Sequence, residues 1–350
     1  MEQRIIISDN LDEDLAVAIS ECEHDRVFVL TDSVTREKCL PKISGFHSMR
    51  KAHVITIGDT DTHKTLDSLA QVWKELGDNG ATRHSCMVNL GGGMVTDLGG
   101  FAASTFKRGI DFINIPTTLL AMVDASVGGK TGINFNGLKN EVGVFNDSKY
   151  VLLNTAFLDT LDYDNLCSGF GEMLKHALIS DRRTWHDLLA FDLQNPDLPL
   201  LQKLVAQSVK VKERIVEQDP YEKNIRKALN LGHTVGHAFE SWALKKGHPV
   251  LHGYAVAYGL VCELYLSVVK TGMPTEVLRE AVNYVKAFYS PLSYTCDDYE
   301  AFFELMKHDK KNTADGGINF TLLDSIGGIK INQTASKEEI FEALDFYREN

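Results

Sequence analysis

The sequence predicts a two-domain α/β protein, with an N-terminal parallel sheet flanked by helices and a C-terminal part that is mostly helical. Three observations predict this arrangement. Short apolar runs typical of strands alternate with helical patterns over residues 1–160. Strand-like runs become rare after that point, and helical periodicity dominates to about residue 310. At 350 residues, the chain is also long for a single hydrophobic core. We therefore expect one domain over residues 1–160 and a second over residues 161–350.

The predicted sheet depends on short runs of Val, Ile and Leu that each end at a polar, glycine or proline residue. These runs are residues 26–30, 53–57, 86–90, 111–115 and 150–153. Helix-like stretches over 66–76 and 95–106 lie between them. This alternation predicts a parallel sheet, whose ligands bind beyond the carboxyl ends of the strands. Gly58, Gly91 and Pro116 lie at those ends.

Glycine and basic residues concentrate between residues 90 and 139. Gly91-Gly92-Gly93 follows a predicted strand and precedes a helix-like stretch, so backbone N–H groups there can bind phosphate. A second pair, Gly128-Gly129, precedes Lys130, whose ammonium group supplies a positive charge. The dinucleotide fingerprint GxGxxG is absent, so any dinucleotide must bind through a different loop. We expect an anionic ligand at this basic region.

Composition limits the classes of function. The net charge of -12 at pH 7 argues against a general nucleic-acid surface and against an anionic membrane surface. The six cysteines include no CxxC pair, so we expect buried reduced thiols and neither a zinc ribbon nor a disulfide frame. The N-terminus lacks a signal-peptide pattern, and no apolar run approaches the roughly 18 residues of a membrane span. We therefore expect a cytoplasmic protein.

The C-terminal part carries polar residues where a plain helix would carry core residues. Over residues 201–216, Lys212 falls on the apolar stripe, which is unfavourable unless the lysine is paired or reaches solvent at the edge. If residues 226–237 are helical, four polar residues share one face. They are Arg226, Asn230, His233 and His237. A late strand is predicted over 318–323, and a capping box beginning at Ser336 predicts the last helix.

A metal site is the second hypothesis for this part of the chain. One carboxylate with two or three imidazoles is a ligand set typical of zinc, and Glu172 and His233 can supply two of the ligands. The candidates for the third are His252, His248 and His176. Of these, His252 fits best because it precedes an apolar helix-like stretch, which leaves His237 to carry a proton near pH 7. The spacing of Glu172 and Lys175 is also typical of an exposed helical pair.

At these residues the chain resembles the 3-dehydroquinate synthase family of sugar-phosphate cyclases, and the resemblance covers nearly its full length. It is carried by ordered motifs: GGGMVTD from Gly91, FKRG from Phe106, IPTTLLAMVDASVGGKT from Ile115, KN at Lys139, Glu172 with Lys175, RKALNLGHTVGH from Arg226, LHG from Leu251 and DKK from Asp309. The chain departs from the family pattern at Thr96, Leu138 and Tyr254, and none of these departures removes a predicted ligand.

The resemblance implies a Rossmann-like NAD-binding domain, a helical metal-binding domain, a homodimer, and one bound Zn or Co ion. It implies the metal ligands Glu172, His233 and His252. It implies NAD contacts from Asp59, Lys64, Gly92, Gly93, Met94, Val95, Thr96, Asp97, Thr117, Thr118, Lys130, Lys139, Phe157 and Thr160. It implies catalytic and substrate contacts from Arg108, Asp124, Lys130, Asn140, Lys175, Lys212, Arg226, Asn230, His237 and one of Lys310 and Lys311.

The implied reaction converts a seven-carbon keto-acid phosphate into a carbocycle, with transient oxidation by NAD, loss of phosphate, reduction and aldol closure. A sister cyclase that makes an inosose or a valiolone would share the metal and NAD sites. A polyol dehydrogenase on the same fold would consume NAD stoichiometrically. A catalytically inactive binding protein is the alternative from another class, and the complete set of predicted metal ligands argues against it.

Overall fold

The structure is a computed structural model that describes residues 3–22, 24–307 and 317–350. The chain divides into two compact units, and each is described by itself. The first contains Met1–Asp162 and Asp197–Val209, and the second contains Tyr163–Pro196 and Lys210–Asn350. The predicted substrate contacts Lys310 and Lys311 lie outside the described residues.

The first unit is built on a six-stranded sheet in which every pairing is parallel. Its strands are β1 (Arg4–Ile7), β2 (Val27–Asp32), β3 (His53–Ile57), β4 (Cys86–Gly91), β5 (Asp111–Pro116) and, after a separate hairpin, β8 (Tyr150–Leu153). Their order across the sheet is β1-β8-β5-β4-β2-β3. The predicted parallel sheet is confirmed, and each predicted strand is present. Strand β1 was not predicted, because four residues are too few to show a period.

The helices of the first unit alternate with these strands along the chain. They are α1 (Leu11–Glu21), α2 (Ser33–Lys38), α3 (Leu66–Asp78) and α4 (Gly93–Thr105). Helix α4 packs closely on its neighbours through two glycines. A Cβ on Gly99 would lie 2.1 Å from Asn89 Oδ1 of β4, and one on Gly100 would lie 2.5 Å from Thr131 Cγ2 of the hairpin that follows β5. The second half of the glycine-rich stretch is therefore needed for close packing of this helix on the sheet and the hairpin.

An antiparallel hairpin follows β5 and was not predicted. It consists of β6 (Lys130–Phe135) and β7 (Leu138–Phe145). The connecting residues Asn136 and Gly137 have φ values of 49° and 77°, as the two-residue turns of hairpins require. All of β7 is exposed, so the hairpin shows no alternation of buried and exposed residues that would have predicted it.

The second unit is mostly helical, as predicted. Its helices are α5 (Tyr163–Leu178), α6 (Arg182–Leu189), α7 (Leu198–Gln218), α8 (His233–Lys245), α9 (His252–Thr271), α10 (Thr275–Phe288), α11 (Tyr299–Lys307) and α12 (Lys337–Glu349), and its hairpin is β9 (Asn319–Ser325) with β10 (Gly328–Thr334). The division between the units falls within α7, after Val209. Strand β9 and the capping box of α12 match the predicted late strand and last helix.

Two predictions in this unit need correction. Residues 226–237 are not one helix. A 3-10 helix covers Ile225–Asn230, and the chain then turns at Gly232, which has a φ of 79° and precedes the first residue of α8. In addition, α9 is long and apolar enough by composition to span a membrane, which was not expected. However, 78% of its apolar window is buried inside the protein, as in the core helix of a globular domain.

Candidate active site

Glycine contacts bring three helices of the second unit together at backbone distance. A Cβ on Gly253 of α9 would lie 1.7 Å from the carbonyl oxygen of Ser168 in α5. Between α8 and α9, a Cβ on Gly259 would lie 2.0 Å from the carbonyl oxygen of Gly232. Since no side chain fits at these points, the helices approach each other through backbone contacts there. The crossing places the residues beside these glycines close to one another.

The residues next to these crossings form a cluster of one carboxylate and two imidazoles. Glu172 follows Gly171 on α5, whereas His233 and His252 begin α8 and α9. Glu172 Oε1 lies 3.2 Å from His233 Nε2 and 3.2 Å from His252 Nε2. Potential ligand atoms of all three residues lie within 4.8 Å of one another. This donor set fits a borderline divalent cation such as Zn²⁺ or Co²⁺.

The charged neighbours of Glu172 keep its carboxylate ionised despite burial. Glu172 is fully buried and forms an ion pair with Lys175, one turn along α5, which is 1% exposed. Burial alone would raise the pKa of Glu172. The charges of Lys175 and His233 lower it by more than burial raises it, so its net pKa lies well below the usual range. The carboxylate is therefore ionised. The alternative of an exposed helical pair is wrong, since both side chains are buried.

Each histidine of the cluster has its second ring nitrogen in a hydrogen bond. His233 Nδ1 donates to the carbonyl oxygen of Leu231 at 3.1 Å, and His252 Nδ1 donates to Glu240 Oε2 at 3.2 Å. Burial lowers the pKa of His252, whereas hydrogen bonds to Glu172 and Glu240 raise it, with a net value of about 10. In both rings the nitrogen that faces Glu172 is Nε2.

The other histidines differ in position. His237 lies one turn after His233 on α8, half-buried, with its ring centroid 5.2 Å from that of His233 and 5.9 Å from that of His252. His248 is exposed beyond the end of α8, and His176 is fully buried on α5. Neither belongs to the group formed by Glu172, His233 and His252, which leaves His252 as the third member.

The loop before α8 holds the basic and amide groups of the predicted substrate site. Asp219 accepts backbone N–H bonds from Lys223 at 2.9 Å, Asn224 at 2.6 Å and Arg226 at 3.1 Å. Arg226 is 2% exposed, so this carboxylate fixes the backbone that carries a buried guanidinium group. Asp219 was not predicted as part of the site. The sequence shows only an acidic residue before a proline there.

The same loop also holds Asn230 in a hydrogen bond with Glu222. Asn230 Nδ2 donates to Glu222 Oε1 at 3.0 Å, and Glu222 has a φ of 57°, which is uncommon for a residue other than glycine. Glu222 was also not predicted.

Lys212 lies on the buried face of α7 and is 6% exposed, so it does not reach solvent at the edge of the stripe.

In the first unit, a buried lysine joins two loops at the carboxyl edge of the sheet. Lys64 is 3% exposed, and its ammonium group donates to Asp97 of α4 and to Asn140 of β7. The hairpin is also bonded to the segment that carries Lys64, since Asn134 N–H donates to the carbonyl oxygen of Lys64 at 2.8 Å. Lys139 lies 3.9 Å from Asp61 in an exposed pair.

The first turn of α4 lies at the same edge, and its glycines are needed for close approach. A Cβ on Gly92 would lie 3.1 Å from Thr118 Cγ2, and one on Gly93 would lie 3.2 Å from Ala125 Cβ. Thr96 is helical, and its N–H bonds to the carbonyl oxygen of Gly92 at 3.0 Å, so its side chain does not alter the turn. The first N–H groups of a helix have no partner within it, so phosphate binding at the start of α4 stays a prediction.

The remaining predicted residues of the first unit occupy several places. Thr117 follows β5 and donates its N–H to the carbonyl oxygen of Gly91 at 3.0 Å. The others are Asp59 after β3, Met94 and Val95 in α4, Thr118 after β5, Asp124 in a helical turn over Ala121–Ala125, Lys130 at the start of β6, and Phe157 and Thr160 in a 3-10 helix over Thr155–Thr160. Arg108 instead lines a cavity of about 520 Å³ with Arg83, His84 and Lys149.

The whole chain matches one family. Residues 54–168 match the model of the 3-dehydroquinate synthase N-terminal domain, and residues 169–312 match that of the C-terminal domain. A 3-dehydroquinate synthase of Parabacteroides distasonis is 53% identical over 349 residues, which is 100% of this chain and 99% of the relative. The chain belongs to the 3-dehydroquinate synthase family. The resemblance predicted from the sequence motifs is thus confirmed.

Solved structures of sister cyclases share the fold. A 2-deoxy-scyllo-inosose synthase complexed with carbaglucose-6-phosphate, NAD+ and Co2+ has a TM-score of 0.86 at 22% identity, with 99% of this chain and 96% of that chain covered. A 2-epi-5-epi-valiolone synthase from Streptomyces hygroscopicus with NAD+ and Zn2+ has a TM-score of 0.84 at 24% identity, with 99% and 97% covered. These similarities confirm the fold predicted for this chain, a parallel-sheet part followed by a mostly helical part.

Two carboxylates beside the cluster were missed by the sequence analysis of this family member. Glu240 bonds to His252, and its signal is spacing, because it lies at i+7 from His233 on α8. Glu263 of α9 is fully buried and accepts the N–H groups of Gly232 at 2.6 Å and Val235 at 3.1 Å. It thereby caps the start of α8. Its signal is a lone acid within an apolar helix.

Tyr254, two residues after His252, is one of the departures from the family pattern. Its hydroxyl group donates to Asp164 Oδ1 at 2.8 Å. Its ring packs against that of Tyr289, with 5.0 Å between centroids. Tyr254 is therefore part of the packing between α5 and α9, and Glu240 supplies the contact to the histidine.

Proposed function

We propose that the protein is an NAD- and metal-dependent carbon–oxygen lyase that converts 3-deoxy-D-arabino-heptulosonate 7-phosphate to 3-dehydroquinate and phosphate, a step of the shikimate pathway. One observation carries the proposal beyond family membership. The chain retains a buried carboxylate and two imidazoles with their donor atoms within 4.8 Å, in a sequence 53% identical to a 3-dehydroquinate synthase over its whole length. A binding protein without catalysis has no need of such a costly buried arrangement.

We propose that residues 1–160 bind NAD and that residues 161–350 bind the metal and substrate groups. Glu172, His233 and His252 fit one Zn or Co ion by donor type and spacing. Lys64, Asp97 and the start of α4 supply the charged groups and free N–H groups that suit a dinucleotide. When bound, the metal and NAD supply polarisation of a substrate hydroxyl group and reversible acceptance of a hydride.

The chain's own residues would then bind the substrate and move protons. Buried Lys175 keeps Glu172 ionised through its ion pair. A half-buried imidazole beside the cluster suits proton transfer near pH 7, and His237 provides it. Arg226 and Lys212 provide positive charge for the carboxylate and phosphate of the substrate. Substrate contacts are further proposed for Arg108, Asp124, Lys130, Asn140 and Asn230, whereas Lys310 and Lys311 stay predictions.

We also propose a homodimer that associates through the hairpin of the first unit. Five apolar side chains of this hairpin are 37–57% exposed, namely Phe135, Leu138, Val142, Val144 and Phe145. Exposed apolar side chains concentrated on one element are typical of an interface. The cytoplasmic location remains a prediction. Light scattering of the wild type and of Val142→Lys tests the dimer, since a monomeric wild type would contradict it.

The activity is tested by phosphate release from the seven-carbon keto-acid phosphate, with catalytic NAD, before and after EDTA, and with the product identified by mass. Metal-dependent release that gives dehydroquinate without accumulation of NADH is the expected result. Release only from a hexose or heptulose phosphate would indicate a sister cyclase. Stoichiometric formation of NADH from a polyol would indicate a dehydrogenase, and no turnover with any of these would contradict the proposal.

A further inference from the structure

Glu240 occupies a position that the family motifs do not explain. It lies on α8, and its side chain is 16% exposed. Its Oε2 atom is 3.2 Å from His252 Nδ1, whereas Glu172 Oε1 is 3.2 Å from His252 Nε2. The ring of His252 is thus held between two carboxylates, of which only Glu172 belongs to the metal-type cluster.

The chemistry of the two partners fixes the roles of the ring nitrogens. An ionised carboxylate only accepts hydrogen bonds, so the bond to Glu240 requires a hydrogen on Nδ1 of His252. Metal binding requires a lone pair on Nε2, so the ring that binds a metal is the neutral tautomer with its hydrogen on Nδ1. Nε2 faces Glu172, where the cluster would hold the metal ion.

The neighbouring histidine has the same arrangement with a backbone partner. His233 Nδ1 donates to the carbonyl oxygen of Leu231 at 3.1 Å, and His233 Nε2 faces Glu172 Oε1 at 3.2 Å. A main-chain carbonyl therefore orients one imidazole, and a side-chain carboxylate orients the other. Such outer partners fix the tautomer and the ring orientation of histidine ligands.

We propose that Glu240 is a positioning residue that accepts the Nδ1 hydrogen of His252 and thereby presents Nε2 of that ring to the metal. The inference rests on the proposed metal site and adds a residue to it. Glu240 is not a member of the group formed by Glu172, His233 and His252. Its loss leaves the three ligands in place and removes the orientation of one of them.

The experiment compares metal binding by the wild type with that of Glu240→Gln and Glu240→Ala. Protein stripped with chelator is titrated with Zn²⁺ against a fluorescent indicator, and its absorption spectrum is recorded with Co²⁺. Loss of an outer partner typically weakens metal affinity by about 10- to 100-fold, which we expect for Glu240→Ala. Glu240→Gln should lie between the two, because an amide oxygen still accepts the hydrogen bond but carries no charge. The Co²⁺ spectrum should change in the same order.

A matched control separates this role from general stabilisation. Glu280 of α10 is a carboxylate of similar exposure, 21%, and accepts a ring N–H from Trp185 at 2.8 Å. Glu280→Ala should lower the melting temperature but leave the Zn²⁺ affinity and the Co²⁺ spectrum unchanged. If the wild type binds no metal, the proposed metal site fails. If the wild type binds metal and folded Glu240 variants match its affinity and spectrum, only the role of Glu240 is overturned. Glu240→Gln decides the matter if Glu240→Ala does not fold.

Discussion

The two candidate sites are built in different ways. In the first unit, the site residues lie where parallel strands end, and the groups at the start of α4 are backbone N–H groups. In the second unit, the cluster is made only of side chains, and helices that cross at glycines hold them together. The order of the parallel strands fixes where the first set of residues lies, whatever side chains surround them. The second set depends on contacts at a few positions where no Cβ fits.

The two sites also differ in burial. Glu172 and Lys175 are 0% and 1% exposed, whereas the predicted site residues Lys130, Lys139 and Asn140 are exposed on the hairpin. Lys64 differs from these three, since it is 3% exposed. A buried charge is costly unless it is paired, so we expect substitutions at the helical cluster to affect both stability and chemistry. Substitutions on the hairpin should affect mainly binding.

The largest effect is expected from a methyl group at a helix crossing. In Gly253→Ala, the added Cβ would lie 1.7 Å from the carbonyl oxygen of Ser168, so α5 and α9 must separate. Forced overpacking costs about 1–3 kcal/mol and occasionally more, and we expect at least the upper end here because the contact is with backbone. Urea unfolding and metal content measure the effect. Gly77→Ala is the control, because its Cβ would meet nothing within 4 Å. Equal stability of the two variants would contradict the role of the crossing.

The contrast explains what the sequence could and could not predict. The runs at 86–90 and 111–115 predict strands of a parallel sheet, because short apolar segments between helices leave few alternatives. The hairpin was missed although Asn136-Gly137 is a hairpin turn signal, since β7 is exposed along its whole length and shows no alternation of buried and exposed residues. The turn at Gly232 was missed because a period of 3.6 residues continues across it. The sequence shows that Glu263 is an acid within an apolar helix. It does not show which helix end Glu263 caps, because that end is 31 residues away along the chain.

The next largest effect is expected from loss of one cluster histidine. In His233→Ala, only one imidazole and one carboxylate of the cluster remain, so metal binding and activity should be lost while NAD binding is retained. Metal content by mass spectrometry and NAD titration measure the two sites separately. His248→Ala is the control, since this histidine is exposed beyond α8. Full metal content in His233→Ala would reject its assignment as a ligand.

A smaller effect is expected in the first unit from Lys64→Met. The substitution leaves Asp97 and Asn140 without the ammonium group that joins them, and the side chain of Asp97 is only 19% exposed. We expect about tenfold weaker NAD binding and a lower free energy of unfolding, by roughly 1–3 kcal/mol, because a carboxylate at low exposure loses an ion-pair partner. Calorimetry with NAD and urea unfolding measure both quantities.

Lys139→Met provides the matched comparison for Lys64→Met. Lys139 is 57% exposed on its side chain and lies 3.9 Å from Asp61. An exposed pair of this kind contributes about 0–1 kcal/mol, so stability should stay near that of the wild type. If Lys139→Met also weakens NAD binding, its predicted contact to the cofactor is supported. If both variants have the same stability as the wild type, the buried lysine does not organise this edge of the sheet.

The smallest effect is expected at Asp219, which acts on the site only through the backbone. Burial alone would raise the pKa of Asp219. The N–H bonds from Asn224, Lys223 and Arg226 together lower it by more than burial raises it, so its pKa in the fold lies below the usual 3.8. A lowered pKa means that the ionised carboxylate stabilises the loop above the unfolded pKa and that this contribution is lost as the pH falls through the folded value. The stability difference between the wild type and Asp219→Asn should therefore be present at pH 7 and disappear in acid. The amide replaces one acceptor oxygen by a donor that faces N–H groups.

The same variant should raise the KM for the sugar phosphate severalfold with little change in metal content, because Arg226 loses its fixed backbone. Asp192→Asn is the control. Its carboxylate also has a lowered pKa, through bonds from the Asn195 side chain and the Gln194 backbone, but its loop carries no predicted site residue. If both variants change KM equally, the effect comes from general loosening of loops. A change confined to Asp219→Asn would show that the helical unit also fixes part of its site through backbone contacts, as the sheet unit does.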